Sequence, residues 1–320
     1  MFYTVRGLDK PGQSGMKIAV FGAGGVGGYV GLRLQAAGED VAYLARGAHL
    51  AALRRDGLRL ESTEGNVYLP KVNASDDPGD FGPVDVVLFA VKLWDVEAAA
   101  RTLGPLLAPH TRVITLQNGI DSVAMVSQHV PVAQVIGGSI YVSAVIARPG
   151  VISSVGTFHR LVIDAANGDD AVAKFCAACD RAAGIDCVAT ESLDSALWEK
   201  FVALSAISGA TSLMRAPVGA IVANPESHEF LRQLVSEGVA VAQAAGKVLP
   251  EGYFDATMAK FAGLPPAFRA SMAEDLDRGK PLELKWLSGR MHGLGLQYGV
   301  PTPAHSAVYR ALVLYANGRT

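Results

Sequence analysis

The sequence is poor in the residues that mark several classes of protein. Of its 320 residues three are cysteine and 18% are charged, and the formal net charge is −2. So few cysteines argue against a disulfide-stapled secreted domain and fit a cytoplasmic protein. The near-neutral charge offers no basic surface for nucleic acid, and the apolar runs are too short to cross a membrane. We therefore expect a globular protein without nucleic-acid or membrane partners.

The cysteines and the first residues carry no sign of a special function. Cys176-x-x-Cys179 lies in an alanine-rich stretch of helical character, with no histidine or second cysteine pair at zinc spacing, so we predict no metal site. Residues 1–15 lack the apolar core of a signal peptide and indicate a polar leader. Half of the residues are apolar, and the length favours two domains.

Up to about residue 188, segments of strand character alternate with segments of helical character. This alternation is typical of a parallel sheet covered by helices. The strand-like segments are 17–21, 41–45, 58–62, 67–71, 85–92 and 112–119, and the helical ones are 26–37, 48–55, 95–107 and 121–129. Further strand-like pieces at 134–145, 150–156 and 160–165 are expected to extend this sheet at one edge.

One glycine-rich stretch has the pattern of a dinucleotide site. Gly22, Ala23, Gly24, Gly25, Val26 and Gly27 fit G-x-G-x-x-G, directly after a strand and at the start of a helix. The first glycine permits a tight turn, the second lets the backbone approach a pyrophosphate, and the third lets helix and strand pack closely. We predict that these six residues bind a dinucleotide in a Rossmann-type domain. The alternative is a glycine-rich turn without a ligand.

The second strand ends without the acidic residue that NAD requires for its ribose 2′-hydroxyl. The stretch reads VAYLAR, and its polar residue is Arg46. A guanidinium at this place suits the 2′-phosphate of NADP(H). We predict NADP(H) as the cofactor, the alternative being that Arg46 is a solvated surface residue.

From about residue 189 the periodicity is helical and no convincing strand appears. The sequence therefore predicts a Rossmann-type α/β domain over residues 16–188 and an all-α domain over residues 189–320. Lys200 lies among apolar neighbours, and positions 204 and 208 share its face of the helix. An ammonium there would protonate the oxygen of a carbonyl group that receives a hydride. A solvated lysine is the alternative.

From about Met16 to the C-terminus the chain resembles the ketopantoate reductase (2-dehydropantoate 2-reductase) family. The matching blocks, in chain order, are KIAVFGAGGVGG, VKLWDVEAA, LQNGI, LWEK and SMAEDLDRGKPLELKWLSG. The resemblance implies a helical second domain like that of 6-phosphogluconate dehydrogenase. It also implies NADPH-dependent reduction of a 2-oxo acid to a 2-hydroxy acid, with ketopantoate and pantothenate biosynthesis as the expected substrate and pathway.

The resemblance also assigns roles to individual residues. Lys200 is implied to be the general acid. The implied cofactor contacts, besides the glycine turn and Arg46, are Lys92, Asn118, Ala144 and Glu283. The implied substrate contacts are Asn118, Lys200, Ser208, Ser271 and Glu283. The alternatives are a plain turn at Asn118, surface charges at Lys92 and Glu283, and a helix N-cap at Ser271.

Two positions depart from the family pattern. Many members carry asparagines one and two turns after the lysine, where this chain has Leu204 and Ser208. Leu204 has no hydrogen-bonding group, which predicts weaker ketopantoate binding or a different 2-oxo acid. Three other functions stay open: a β-hydroxyacid dehydrogenase, an NADPH-binding sensor without turnover, and a catalytically idle relative. The sequence also leaves a homodimer open.

Overall fold

The computed structural model describes residues 2–4, 15–166 and 168–319. The chain divides into two compact units: unit 1 comprises Met1–Gln117 and Ser122–Leu193, and unit 2 comprises Asn118–Asp121 and Asp194–Thr320. The predicted polar leader, residues 1–15, lies outside the described residues except for Phe2–Thr4 and Gly15.

The strands are β1 (Phe2–Thr4), β2 (Lys17–Phe21), β3 (Asp40–Leu44), β4 (Leu58–Ser62), β5 (Asn66–Leu69), β6 (Asn73–Ser75), β7 (Val86–Phe89), β8 (Arg112–Thr115), β9 (Val135–Ile136), β10 (Gly138–Arg148), β11 (Val151–Asp164) and β12 (Asp186–Thr190). The helices are α1 (Gly25–Ala36), α2 (Gly47–Asp56), α3 (Val96–Ala100), α4 (Ser122–Val126), α5 (Asp170–Arg181), α6 (Leu193–Leu213), α7 (Val218–Ala223), α8 (Pro225–Ala244), α9 (Tyr253–Ala262), α10 (Ser271–Asp277), α11 (Ser288–Tyr298) and α12 (Pro303–Leu312).

The first sheet of unit 1 is parallel throughout, in the order β6-β3-β2-β7-β8-β9. All four residues of β7 are fully buried, as expected for a parallel strand covered on both faces. Because the strands run in one direction, their carboxyl ends lie along one edge of the sheet. Gly22, Arg46 and Lys92 follow β2, β3 and β7 and therefore lie at that edge. The predicted Rossmann-type class is confirmed.

The expectation that residues 134–165 extend this sheet is wrong for all but the short strand β9. Strands β10 and β11 pair antiparallel with each other and belong to a second sheet, in the order β1-β5-β4-β11-β10, with β12 also on β11. The first part of β11 pairs with β4, and Arg160–Asp164 pairs with β12. These partners are distant in sequence, so the alternation of apolar residues does not reveal which sheet a strand joins.

Two helices of unit 1 are shorter than their periodicity predicts. The segment 95–107 holds α3 and one 3₁₀ turn, Gly104–Leu106, because Gly104 and Pro105 interrupt the helix. The segment 121–129 holds α4, which is five residues long. The prediction also missed the short strands β6 and β12.

Unit 2 is built from helices α6–α12, and its described residues form no strand beyond one isolated bridge between Pro281 and Asn317. Its core gathers apolar side chains from most of these helices, among them Phe201 of α6, Leu231 of α8 and Val308 of α12. The predicted all-α domain is confirmed. No helix in the described part of the chain is long and apolar enough to span a membrane.

A buried carboxylate holds the start of α12 against α8. Glu237 accepts hydrogen bonds from the backbone N–H groups of Ala304 (2.7 Å) and His305 (2.9 Å). The His305 ring is fully buried, with Nε2 3.0 Å from the carbonyl oxygen of Leu234. Burial lowers the pKa of His305 to about 4, so this ring is neutral near pH 7. Glu237 and His305 therefore serve to position α12 against α8.

Candidate active site

The glycines of the turn after β2 serve different purposes. Gly22 has φ +99°, a conformation that favours glycine, and a Cβ there would lie 2.9 Å from the backbone nitrogen of Val91. A Cβ on Gly27 would lie 2.3 Å from the carbonyl oxygen of Gly22 and against Val20. The first and third glycines are therefore required by the fold of unit 1 itself.

The second glycine of the motif faces open space. A Cβ on Gly24 would meet no atom within 4 Å, although Gly24 lies at the N-cap of α1. Helix α1 has no side-chain cap and no acidic residue in its first turn, so its positive end is not neutralised from within the helix. This arrangement fits a pyrophosphate, which needs close backbone approach at a helix N-terminus.

Ala144 reaches this turn through its backbone. A Cβ on Gly25 would lie only 2.0 Å from the carbonyl oxygen of Ala144, so β10 passes directly over the start of α1. The predicted cofactor residue Ala144 therefore lies beside the glycine turn. Ala144 lies there because β10, a strand of the second sheet, passes over the start of α1.

Arg46 is exposed at the N-cap of α2. Within the described residues its guanidinium makes no hydrogen bond or ion pair, whereas Arg54 and Arg55 on the same helix pair with Asp76 and Asp56. An exposed guanidinium at the carboxyl end of the second strand fits the 2′-phosphate of NADP(H).

Lys92 lies at the same sheet edge, directly before a 3₁₀ turn, with its Nζ 5.6 Å from the ring centroid of Trp94. The sequence interpretation missed the buried Gln117, which supports this region. Its side-chain Nε2 donates to the carbonyl oxygens of Phe89 (2.8 Å) and Val91 (3.1 Å) and so holds the end of β7. The LQNG block contains this residue, but its role follows from contacts with two residues that lie 26 and 28 positions earlier in the chain.

Lys200 lies in the first half of α6 and is half-buried, next to the fully buried Phe201. Removal from water lowers the pKa of Lys200 to about 8, and the negative charge of Glu283 acts in the opposite direction. An amine with a pKa near the working pH is well suited to proton transfer.

Asn118 and Glu283 meet in unit 2, although 165 residues separate them in sequence. The side-chain Nδ2 of Asn118 donates a hydrogen bond to Oε2 of Glu283 at 3.1 Å. Glu283 begins a 3₁₀ turn and is only 6% exposed, so the amide helps to satisfy a carboxylate that has lost most of its water. Together with the charge interaction between Glu283 and Lys200, this bond joins three of the predicted site residues in one cluster.

The other predicted substrate residues have different surroundings. Ser208 is almost fully buried on α6, and its hydroxyl has no hydrogen-bond partner in the described part of the structure. Leu204, one turn before it, is half-buried at the edge of the helical core. Ser271 is exposed at the first position of α10 and Ala270 is the N-cap, so the alternative interpretation of this serine as a helix N-cap is wrong. No described contact joins Ser271 to the cluster of Lys200 and Glu283.

Taken unit by unit, these features define a class of protein. The class is that of NADP(H)-dependent oxidoreductases. Its features here are a glycine turn that fits a pyrophosphate, an arginine that fits a 2′-phosphate and a lysine with a pKa of about 8. Residues 18–168 match the family model described as ketopantoate reductase PanE/ApbA, and residues 192–316 match the model for its C-terminal part.

Individual relatives agree with the family models. The chain is 30% identical to a 2-dehydropantoate 2-reductase of Mesorhizobium japonicum, over 92% of this chain and 95% of the relative. A PanE/ApbA family ketopantoate reductase of Ralstonia eutropha has a similar structure, with a TM-score of 0.85, 32% identity and coverage of 94% of this chain and 98% of that one. A D-mandelate dehydrogenase, solved with NADH and anilino(oxo)acetate, shares the fold with a TM-score of 0.85 at 20% identity, over 94% and 98% of the two chains.

The chain belongs to the ketopantoate reductase family. It is an oxidoreductase acting on CH–OH groups, with NADP(H) as its cofactor. The predicted family, enzyme class and cofactor are confirmed, and the β-hydroxyacid dehydrogenase alternative falls away. The roles assigned to individual residues remain predictions.

Proposed function

We propose that this enzyme reduces a 2-oxo acid to the 2-hydroxy acid with NADPH, and that 2-dehydropantoate (ketopantoate) is the first candidate substrate. The observation that carries the proposal is the cluster in unit 2. A half-buried lysine with a pKa of about 8 interacts with a buried carboxylate, and Asn118 holds that carboxylate by a hydrogen bond.

Unit 1 holds the cofactor in this proposal. The backbone of Gly22–Gly27 binds the pyrophosphate, and Arg46 binds the 2′-phosphate. Lys92 and Ala144 contact the cofactor beside the turn. When bound, the reduced nicotinamide supplies the hydride that the keto carbon of the substrate receives. The open space at Gly24 supports these assignments, as does the Arg46 guanidinium, which has no partner in the described part of the chain.

Lys200 performs the proton transfer. As the keto carbon accepts a hydride, its oxygen gains negative charge, and the ammonium of Lys200 donates a proton to that oxygen. Neutral Lys200 then regains a proton from solvent. With a pKa of about 8, the lysine is mostly protonated at pH 7 and is a stronger acid than a solvated lysine.

The neighbours of Lys200 keep it protonated and oriented. Glu283 favours the ammonium form by its charge, and Asn118 orients the carboxylate of Glu283. Asn118 and Glu283 also contact the substrate or the nicotinamide ribose in this proposal. Ser208 and Ser271 bind the substrate through their hydroxyl groups in this proposal. For Ser208 the support is its buried oxygen, which has no hydrogen-bond partner among the described residues.

A second candidate substrate is a 2-oxo acid with an apolar side chain. Leu204 supports it, because an apolar, half-buried side chain occupies the helical face of Lys200 one turn further on. Such a side chain gives no hydrogen bond to a substrate hydroxyl and tolerates a hydrocarbon group.

One experiment tests the reaction and separates these substrates. NADPH oxidation is followed spectroscopically with ketopantoate and with 2-oxo acids that carry aliphatic or aromatic side chains, using wild-type protein and Lys200→Ala. We expect turnover by the wild type, and loss of turnover with retained NADPH binding in the variant. If no 2-oxo acid is reduced while NADPH binds, the protein is a sensor or an idle relative and the proposal is wrong.

The proposal also covers the pathway, the cellular location and the oligomeric state of the enzyme. Reduction of ketopantoate would supply pantoate for pantothenate and coenzyme A biosynthesis. A cytoplasmic location is supported by three free cysteines. A homodimer is proposed because a ketopantoate reductase of Staphylococcus aureus with this fold is described as dimeric, and light scattering measures this directly.

A further inference from the structure

The short segment Asn118–Asp121 has an unusual place in the molecule. It follows β8 of unit 1 in sequence, yet it groups with the helices of unit 2. Gly119 has φ +85°, and a Cβ there would lie 3.4 Å from the carbonyl oxygen of Trp286. Ile120 packs against the apolar core of unit 2. The segment is therefore packed against the part of unit 2 that contains Glu283.

Two polar links join this segment to one stretch of the chain. Asn118 donates to Glu283 at one end of the segment, and at the other end Asp121 Oδ1 lies 3.0 Å from Arg290 Nη2. Glu283 and Arg290 are seven residues apart, on the 3₁₀ turn Glu283–Trp286 and on α11, which follows it. The ion pair thus constrains the same segment and the same stretch of chain as the Asn118–Glu283 bond.

The surroundings of the ion pair make it more than a solvated surface contact. The side chains of Asp121 and Arg290 are 23% and 38% exposed, and Nε of Arg290 is buried without a hydrogen-bond partner in the described residues. Among the described residues, Asp121 is the carboxylate that pairs with the Arg290 guanidinium. Loss of the Asp121 charge would leave a partly desolvated guanidinium without its carboxylate.

We propose that Asp121 and Arg290 are a positioning pair: their ion pair holds the Asn118–Asp121 segment so that the Asn118 amide reaches Glu283 beside Lys200. Neither residue is a catalytic residue, because each acts through the Asn118–Glu283 bond. The inference rests on the proposed function insofar as activity is one of its readouts. A displacement of about 1 Å in a group that orients the reacting centre lowers rates by up to about a hundredfold.

The test compares Asp121→Asn, Arg290→Gln, the double variant and the conservative Arg290→Lys. Arg278→Gln is the matched control, because it breaks a partly exposed ion pair with Glu274 in the same unit. We expect Asp121→Asn and Arg290→Gln each to lower kcat/KM by about ten- to a hundredfold. The double variant should lose no more than either single one, Arg290→Lys should recover most of the activity, and the control should match the wild type.

Two further readouts separate positioning from general stability. The pH at which kcat falls to half should decrease in Asp121→Asn, as in Asn118→Ala, because Glu283 is then held less firmly near Lys200. Hydrogen exchange of the backbone amides in residues 118–121 should become faster in Asp121→Asn and Arg290→Gln, and not in the control. Unchanged exchange would overturn the proposal, as would losses that add up in the double variant or a lowered melting temperature with an unchanged pH profile.

Hydrogen exchange needs no substrate, so it also separates the two proposals. If the wild type reduces no 2-oxo acid, the proposed function fails, and the exchange data still decide whether the pair holds the segment. If the wild type is active and both single variants keep its kcat/KM and pH profile, the positioning role alone is wrong.

Discussion

Replacing Glu283 by glutamine should move the pH dependence of the reaction. In the proposed mechanism the enzyme is active while Lys200 is protonated, so activity is present below the pKa of Lys200 and is lost as the pH rises through it. In the wild type this pKa is about 8. Glutamine keeps an oxygen that accepts the Asn118 hydrogen bond, so the substitution removes mainly the negative charge.

The size of the effect follows from that charge. An opposite charge close to an ionisable group shifts its pKa by about one to three units, and the lower value suits a half-buried lysine. A Lys200 pKa of about 7 would leave about a quarter of the lysine protonated at pH 7.5, compared with about three quarters in the wild type. The variant should thus be slower by about threefold at pH 7.5 and about tenfold at pH 9, with no such loss at pH 6.

The assay is the kcat for NADPH oxidation between pH 6 and 9.5 at saturating 2-oxo acid. A loss that is equal at every pH would show that Glu283 only contacts substrate or cofactor. An unchanged midpoint in Glu283→Gln would refute the electrostatic role of Glu283, and a wild-type rate that does not decrease up to pH 9.5 would refute the role of Lys200 as general acid.

Four further outcomes are expected. Gly24→Val should abolish NADPH binding in calorimetry but leave the melting temperature almost unchanged, because the new side chain enters open space. Gly27→Ala should lower the melting temperature, because its Cβ would lie 2.3 Å from a carbonyl oxygen. Equal melting temperatures of the two variants would contradict this reasoning. Arg46→Ala should weaken NADPH binding by about 1.5–3 kcal/mol and leave NADH binding nearly unchanged. Leu204→Asn should raise kcat/KM for ketopantoate by about 5- to 150-fold, since an unpaired buried hydroxyl costs about 1–3 kcal/mol, and an unchanged preference would mean that another group already pairs it. Lys200→Met should raise the free energy of unfolding below pH 8 by at most about 3 kcal/mol, as measured by denaturant titration. Folding lowers the pKa of this lysine from 10.5 to about 8, so its charged form destabilises the folded protein at low pH. The gain should vanish above pH 10.5, where the lysine is neutral in both states.

The sequence by itself determined the features that depend on neighbouring residues. The turn Gly22–Gly27 could be predicted because a tight turn, a close backbone approach and a helix–strand contact each require glycine at a fixed spacing. The preference for NADP(H) could be predicted from Arg46, because this residue comes at the end of the second predicted strand. The helical second domain followed from its periodicity, and the family from blocks of residues in the right order.

Tertiary structure alone decided the features that depend on distant parts of the chain. The bond between Asn118 and Glu283 spans 165 residues, and the pairing of β11 with β4 and β12 likewise joins separate segments. The pKa of Lys200 is set by the water that folding removes and by the charge that folding brings near, and neither is a property of the helix that carries the lysine. The sequence therefore predicted Lys200 as the proton donor, whereas packing sets the pKa of that lysine.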